Sequence, residues 1–315
     1  MSEHSIAFVF PGQGSQKIGM LSAAHAEFTA VRHTFEEAAQ VLGYDLWDLI
    51  QNGEQDALNL TETTQPVLLT CSVALWRAWR ELGGPSPTVM AGHSLGEFSA
   101  LVCAGALGFA DALVLVRQRG AFMQSAVPVG EGAMAAIIGL DDAAINERCA
   151  VIRQAGDGVV EAVNFNSPGQ VVIAGHSRAV KRAITELKAA GAKKAMPLPV
   201  SAPFHTQLMR PAGERLAEAI ARVPIAAPQT PVMHNVHASA EPDPEKIRAL
   251  LVQQIYSPVQ WTDCVRAMAA MGAQHLLECG PGKVLSGLNR RIDKELHSHA
   301  LEEPEALRAV LAQLR

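Results

Sequence analysis

The chain has 315 residues, 49% of them apolar, with 26 Lys plus Arg against 31 Asp plus Glu and a formal charge of −5. That is enough for one large core or for a main domain with a smaller insert, and there is no basic excess of the kind that binds nucleic acid. The five cysteines (Cys71, Cys103, Cys149, Cys264, Cys279) are scattered with no C-x-x-C pair, so they read as reduced residues of a cytoplasmic protein, with neither a zinc site nor a disulfide frame expected.

Only residues 1–5 precede the first apolar run, too few for a signal peptide. No apolar run reaches the roughly 18 residues of a membrane span. The run at 6–10 is continuous and bounded by Pro11-Gly12, which suits a buried parallel strand. The glycine-rich loop Gly12-Gln13-Gly14-Ser15-Gln16 follows. A dinucleotide fingerprint needs glycine where Lys17 stands, and the Gly-Lys-Ser/Thr of a phosphate loop is absent, which argues against nucleotide binding. The loop is either an ordinary strand-to-helix turn or a means of aiming the Gln13 N–H at a reacting oxygen. Apolar residues at spacings of three and four predict an amphipathic helix over 28–49, and 61–79 reads as a helix buried against the sheet.

Thr88-Val89-Met90-Ala91 then runs into Gly92-His93-Ser94-Leu95-Gly96, and residues 97–102 continue at helical spacing. A G-x-S-x-G between strand and helix is a nucleophile elbow. The sharp turn needs small residues on either side and holds the Ser94 hydroxyl at a helix N-terminus, where free N–H groups favour developing negative charge. In the helix expected over 110–124, Ala112, Leu115, Phe122 and Met123 form one stripe with Arg119 in its middle, while Arg117 falls on the far side. A buried guanidinium needs a partner. That partner is either an internal acid or the carboxylate of a ligand held by the two-pronged group.

Beyond this point the expected order is a loop then a strand over 130–140, a helix over 141–155, strands over 159–164 and 170–174, a helix over 177–190 and a strand over 195–200. This is the split βαβ arrangement of a ferredoxin-like unit. The expected architecture is therefore α/β, a hydrolase-like parallel-sheet main domain of residues 1–127 and 201–315 with an inserted ferredoxin-like α+β subdomain of residues 128–200. The main domain resumes with helices over 211–223, 244–255 and 261–271 and strands near 231–235 and 275–278.

A serine nucleophile needs a base. His93 is the chain neighbour of Ser94 and is expected to point elsewhere, while His4, His25, His33, His297 and His299 lie in polar or terminal stretches. His205, where the insert hands the chain back, is the first candidate, since domain junctions favour sites. His234 and His237 are the runners-up, and a metal pair at these two lacks a third ligand. A rival reading, a serine esterase of the α/β-hydrolase kind, would place an acid between serine and histidine. Asp111, Asp141, Asp142 and Asp157 are available, and none follows a clear strand end. A non-catalytic scaffold would leave Ser94 and Arg119 unexplained.

Six motifs in register, Phe10-Pro11-Gly12-Gln13-Gly14-Ser15-Gln16, Gly92-His93-Ser94-Leu95-Gly96-Glu97-Phe98, Arg119-Gly120 before Phe122-Met123-Gln124, Asn164-Phe165-Asn166-Ser167-Pro168-Gly169-Gln170, Phe204-His205 and Glu278-Cys279-Gly280-Pro281-Gly282, span nearly the whole chain. In these the sequence resembles the malonyl-CoA:acyl carrier protein transacylase family. The resemblance implies an S-malonyltransferase working through a malonyl-serine ester, with malonyl-CoA as substrate, no cofactor and no metal, acyl carrier protein as partner, and neither nucleic acid nor membrane. It implies Ser94 as nucleophile, His205 as base and the N–H groups of Gln13 and Leu95 as oxyanion hole. A backbone carbonyl near Gln254 or Ser257 would orient the histidine, and Arg119 would pair with the free carboxylate of malonate. Phe204, Met123 and Asn164 would line the acyl pocket, Phe204 resembling the choice of malonyl over branched units. Fatty-acid synthesis is the implied pathway, with polyketide synthesis the alternative. Ser257 departs from the asparagine of many members. Lys193-Lys194 and Arg290-Arg291 are either a docking surface for an acidic carrier or plain solvated charge.

Overall fold

The computed structural model describes residues 5–200 and 202–314. The expectations that fall on residues 1–4 (with His4), on Ser201 at the domain junction and on Arg315 lie outside the described residues.

Among the described residues ten strands form two sheets: β1 Ile6–Phe10, β2 Val89–Gly92, β3 Gly132–Ile138, β4 Val160–Ser167, β5 Gln170–His176, β6 Lys194–Pro197, β7 Val232–His234, β8 Ser239–Ala240, β9 His275–Glu278 and β10 His297–Ala300. The larger sheet has the order β10-β9-β1-β2-β7-β8. Its pairs are parallel except for the short β7–β8 ladder. Every residue of β1, β2 and β9 is buried, as a parallel strand covered on both faces must be. Alternation then divides the side chains. Ile6, Phe8, Phe10, Met90 and Leu277 enter the core beneath helices Thr29–Leu42, Thr61–Glu81 and Phe109–Ser125. Ala7, Val9, Val89, Ala91 and Leu276 face helices Trp261–Ala270 and Val284–Ile292.

The second sheet is antiparallel with the order β4-β5-β3-β6. Helices Asp142–Gln154 and Ser177–Ala189 follow β3 and β5 and pack with it around a third core of Ile137, Ile145, Ile152, Ile173 and Leu187. Strand, helix, strand, strand, helix, strand in this spatial order is the split βαβ arrangement.

Three expectations change. The single helix over 28–49 is two helices, Thr29–Leu42 and Leu46–Asn52, and a further short helix, Ser22–Glu27, precedes them. Phe28 is extended, Gly43 takes the left-handed conformation at φ 79°, and the Asp45 side chain caps the third helix, so local turn chemistry interrupts a hydrophobic period that continues through it. The last strand of the small sheet stops at Pro197. Residues 284–314, in which no elements are expected, form helix Val284–Ile292, β10 and helix Pro304–Gln313. His297 and His299 therefore sit in an edge strand paired in parallel with β9. No helix among the described residues is long and apolar enough to cross a membrane.

Candidate active site

The carboxyl ends of β1 and β2 supply one side of a cleft, the position where open parallel sheets hold ligands, and those of β7 and β9 lie beside them. β1 leads into Pro11-Gly12-Gln13, β2 into Ser94, β7 into Asn235 and β9 into Glu278 and Gly280. Ser94 lies between β2 and helix Gly96–Cys103 with φ 51°. The glycines around it are required by contact: a Cβ on Gly92 would lie 1.8 Å from the Gly96 carbonyl carbon, and one on Gly96 would lie 2.0 Å from the Phe10 carbonyl oxygen. Any side chain there would push the elbow off the sheet. Four non-glycine residues among those described have positive φ, and two of them are Ser94 and His205. Such left-handed backbone on a bulky residue is held by its surroundings and gathers at sites of chemistry.

Ser94 Oγ lies 2.9 Å from His205 Nε2. The other ring nitrogen, Nδ1, lies 2.9 Å from the backbone oxygen of Gln254, the last residue of helix Pro244–Gln254. A carbonyl only accepts, so Nδ1 carries the proton and Nε2 offers a lone pair to the serine hydroxyl. Burial, and then the Arg119 guanidinium, push the His205 imidazole down to about 3, against the smaller opposing effect of the Gln254 hydrogen bond. The ring is neutral near pH 7. The orienting acceptor is a carbonyl where the esterase reading requires a carboxylate. Of the acids offered for that role, Asp157 is committed to Arg178 and Arg182.

Arg119 is 1% exposed, in the middle of helix Phe109–Ser125. Its Nη2 donates to Ser94 Oγ at 3.2 Å and to Gln254 Oε1 at 2.7 Å, and its Nη1 donates to Gln65 Oε1 at 2.8 Å. All of these acceptors are neutral, and its Nε has no partner among the described residues. Desolvation pulls the guanidinium down to about 10, and the nearby Glu97 opposes that. Of the two partners left open by the sequence, no internal acid is in contact.

The cleft encloses about 600 Å³ including its open mouth. Ser94, His205, Arg119 and Gln13 line it, as do Leu95, Met123, Asn164 and Phe204. Asn164 and Met134 reach it from the small sheet, and Met123 and Arg119 from helix Phe109–Ser125. At the elbow, the N–H groups of Gly96, Glu97 and Phe98 turn back to carbonyls three residues earlier, and no such bond commits the Leu95 N–H. Gly12 brings the Gln13 loop against the elbow, since a Cβ on it would lie 2.5 Å from the His93 carbonyl oxygen. Gly280 supports the loop from behind, its Cβ position being 2.4 Å from the Pro11 ring.

The runner-up histidines lie elsewhere. His234 is fully buried with Nδ1 2.7 Å from Glu97 Oε1, and His237 pairs with Ser239. No group of three or more His, Cys, Asp or Glu among the described residues could hold a metal ion. His93 differs from expectation: its ring lines the cleft, Nε2 being 2.8 Å from Asn166 Oδ1. Arg290 is committed to the Ser298 carbonyl and Arg291 to Gln170. Sequence reasoning missed Gln65, Glu97 and Asn235. Asn235 Oδ1 accepts from the Ser94 N–H at 2.7 Å while its Nδ2 donates to the Gly92 carbonyl at 2.7 Å, so it pins both arms of the elbow. The only available signal was its place just past a strand end.

The sequence pattern of the acyl transferase domain matches residues 7–304. Malonyl CoA-acyl carrier protein transacylase of Salmonella typhimurium is 58% identical over 308 residues, 98% of this chain and 99% of the relative. The structure of the transacylase of that name from Coxiella burnetii superposes with a TM-score of 0.97 at 48% identity, covering 99% of this chain and 98% of that one. A malonyl-transacylase in complex with a type II PKS acyl-carrier protein superposes at 0.96 with 51% identity over 98% of this chain and 99% of its own. With an acyl transferase pattern over nearly its full length and relatives this similar from end to end, the chain belongs to the malonyl CoA-acyl carrier protein transacylase family.

Proposed function

We propose that this protein moves a malonyl group from malonyl-CoA to the phosphopantetheine thiol of acyl carrier protein through a malonyl ester on Ser94. The observation that carries the reading is a buried guanidinium with only neutral partners, 3.2 Å from a serine that is itself hydrogen-bonded to a neutral histidine. A cation so placed costs several kcal/mol unless an anion meets it. The free carboxylate of a malonyl group is that anion, and the fork of Arg119 suits it.

In the first half-reaction Ser94 Oγ attacks the thioester carbonyl carbon as its proton passes to His205 Nε2. The carbonyl electron pair moves to oxygen, where the Leu95 and Gln13 N–H groups stabilise it by about 3 kcal/mol per donor. Collapse breaks the C–S bond, and the coenzyme A sulfur leaves with the proton from Nε2. In the second, the carrier thiol gives its proton to Nε2 and its sulfur attacks the ester carbon. The C–O bond breaks and Ser94 recovers its hydrogen. No electrons are gained or lost overall, so the cycle calls for malonyl-CoA as substrate and no cofactor. Phe204, Met123 and Asn164 shape the acyl pocket. Residues 128–200 act as an inserted subdomain that closes the cleft against the catalytic domain of 1–127 and 201–315, in support of which β3 to β6 form a sheet of their own, joined to the rest by a bridge between Asn164 and Val259. Fatty-acid synthesis in the cytoplasm is the setting proposed, with polyketide synthesis the alternative.

Mass spectrometry after mixing with malonyl-CoA tests this. A malonyl adduct on Ser94 that persists until a carrier thiol is added supports the transferase, whereas prompt release of free malonate without any thiol supports an esterase. The His205 environment adds a pH signature. With the base down at about 3, the rate of Ser94 acylation should be flat from about pH 5 to 8. Rapid-quench acylation showing an inflection near the usual histidine value would contradict the assignment of His205.

A further inference from the structure

We propose that Glu97 is a positioning residue that, through the side chain of Gln254, fixes the direction in which Arg119 presents its guanidinium to the acyl group. The inference rests on the reading of Arg119 given above and adds what holds that clamp.

Glu97 stands three residues past Ser94 on helix Gly96–Cys103 and is fully buried. Its carboxylate meets His234 Nδ1 at 2.7 Å and accepts from the Asn235 N–H at 2.9 Å and from Gln254 Nε2 at 2.9 Å. Nε2 of the same amide also donates to the Ser94 carbonyl at 3.0 Å. On its other side, Gln254 Oε1 accepts from Arg119 Nη2 at 2.7 Å. A carboxylate can only accept and a guanidinium can only donate, while an amide has one end of each kind. Only one orientation of the Gln254 amide satisfies both neighbours. Turned over, it would set its NH2 against the guanidinium and its oxygen against the carboxylate. Glu97, as the charged one of the two acceptors on Nε2, thus favours the orientation in which Arg119 meets the amide oxygen. With Gln65 Oε1 on Nη1, that acceptor holds the fork beside Ser94. The charge of Glu97, one amide away, also helps to keep the guanidinium protonated against its desolvation.

In Glu97→Gln the shape is kept, but residue 97 loses its charge and no longer requires a donor from Gln254, so the amide is held only by the Ser94 carbonyl and Arg119 and its orientation is less firmly fixed. Gln254→Met cuts the same link and keeps the backbone carbonyl that orients His205. A merely structural role would lower transfer of every acyl group alike. A positioning role acts on the carboxylate-bearing one. The test compares kcat/KM for malonyl-CoA and acetyl-CoA in wild type, E97Q, Q254M and the double variant, with circular dichroism and Tm to verify folding. The malonyl-to-acetyl ratio is expected to fall at least about tenfold in each single variant, with no further fall in the double, since both changes break one connection. A ratio unchanged in folded E97Q, or in Q254M if E97Q does not fold, overturns the inference while leaving wild-type malonylation of Ser94 intact. A wild type that takes no malonyl group on Ser94 overturns the underlying reading and this inference with it.

Discussion

Ser94→Ala is expected to form no malonyl adduct and to lose transfer by about 10⁴-fold or more, the scale seen when an acyl-enzyme nucleophile is removed. The variant deletes the atom proposed to carry the acyl group. The Oγ has two neighbours in the cleft, His205 Nε2 and Arg119 Nη2, and Asn235 holds residue 94 by its backbone, so the elbow should keep its shape. The lost hydrogen bonds are worth about 1 kcal/mol each, and Tm should move by only a few degrees. Intact-protein mass spectrometry and a thermal melt check both halves. An adduct of full occupancy in the variant would place the nucleophile elsewhere. Combining Ser94→Ala with His205→Ala should lower the rate little beyond Ser94→Ala alone, because the base has no function without the hydroxyl.

Arg119→Ala is expected to lower kcat/KM for malonyl transfer by about 10²- to 10³-fold, corresponding to about 3–4 kcal/mol, while acetyl transfer falls less or improves. Two charge-assisted hydrogen bonds to the carboxylate are lost, and the substrate's charge is left desolvated in an enclosed cleft. The same change should reach His205. The Arg119 charge is the second cause, after burial, of that imidazole's lowered value. Removing it should shift the acid limb of acylation toward higher pH, read by rapid quench across the acidic range. Equal loss for both acyl groups would remove the carboxylate clamp from the account. Stability should fall modestly: a desolvation cost is relieved, while the Gln65 and Gln254 amide oxygens lose their donor.

Much of this was legible along the chain because the relevant physics is local. Continuous burial of a parallel strand reads as an unbroken apolar run, as in Ile6–Phe10 and His275–Glu278. The elbow is legible because its glycines and serine are chain neighbours, and Arg119 because helical periodicity places it on the apolar stripe. The C-terminal elements were missed because β10 is an edge strand of His297, Ser298, His299 and Ala300, whose burial is partial and whose residues show no apolar alternation. The break at Gly43 was missed because a hydrophobic period continues across it.

The sequence by itself determined the two kinds of sheet, the sharp turn at Ser94 and the presence of a cation that its own helix would bury, since each follows from neighbours within a few residues. Only the tertiary structure decided what those groups meet. His205 lies 111 residues from Ser94 and Gln254 lies 135 from Arg119, and no periodicity reports which carbonyl faces an imidazole or whether a buried guanidinium finds an acid or two amides. Hydrogen bonds of that range are selected by how the strand ends converge, and it is that convergence that leaves Arg119 buried on the cleft with only neutral partners.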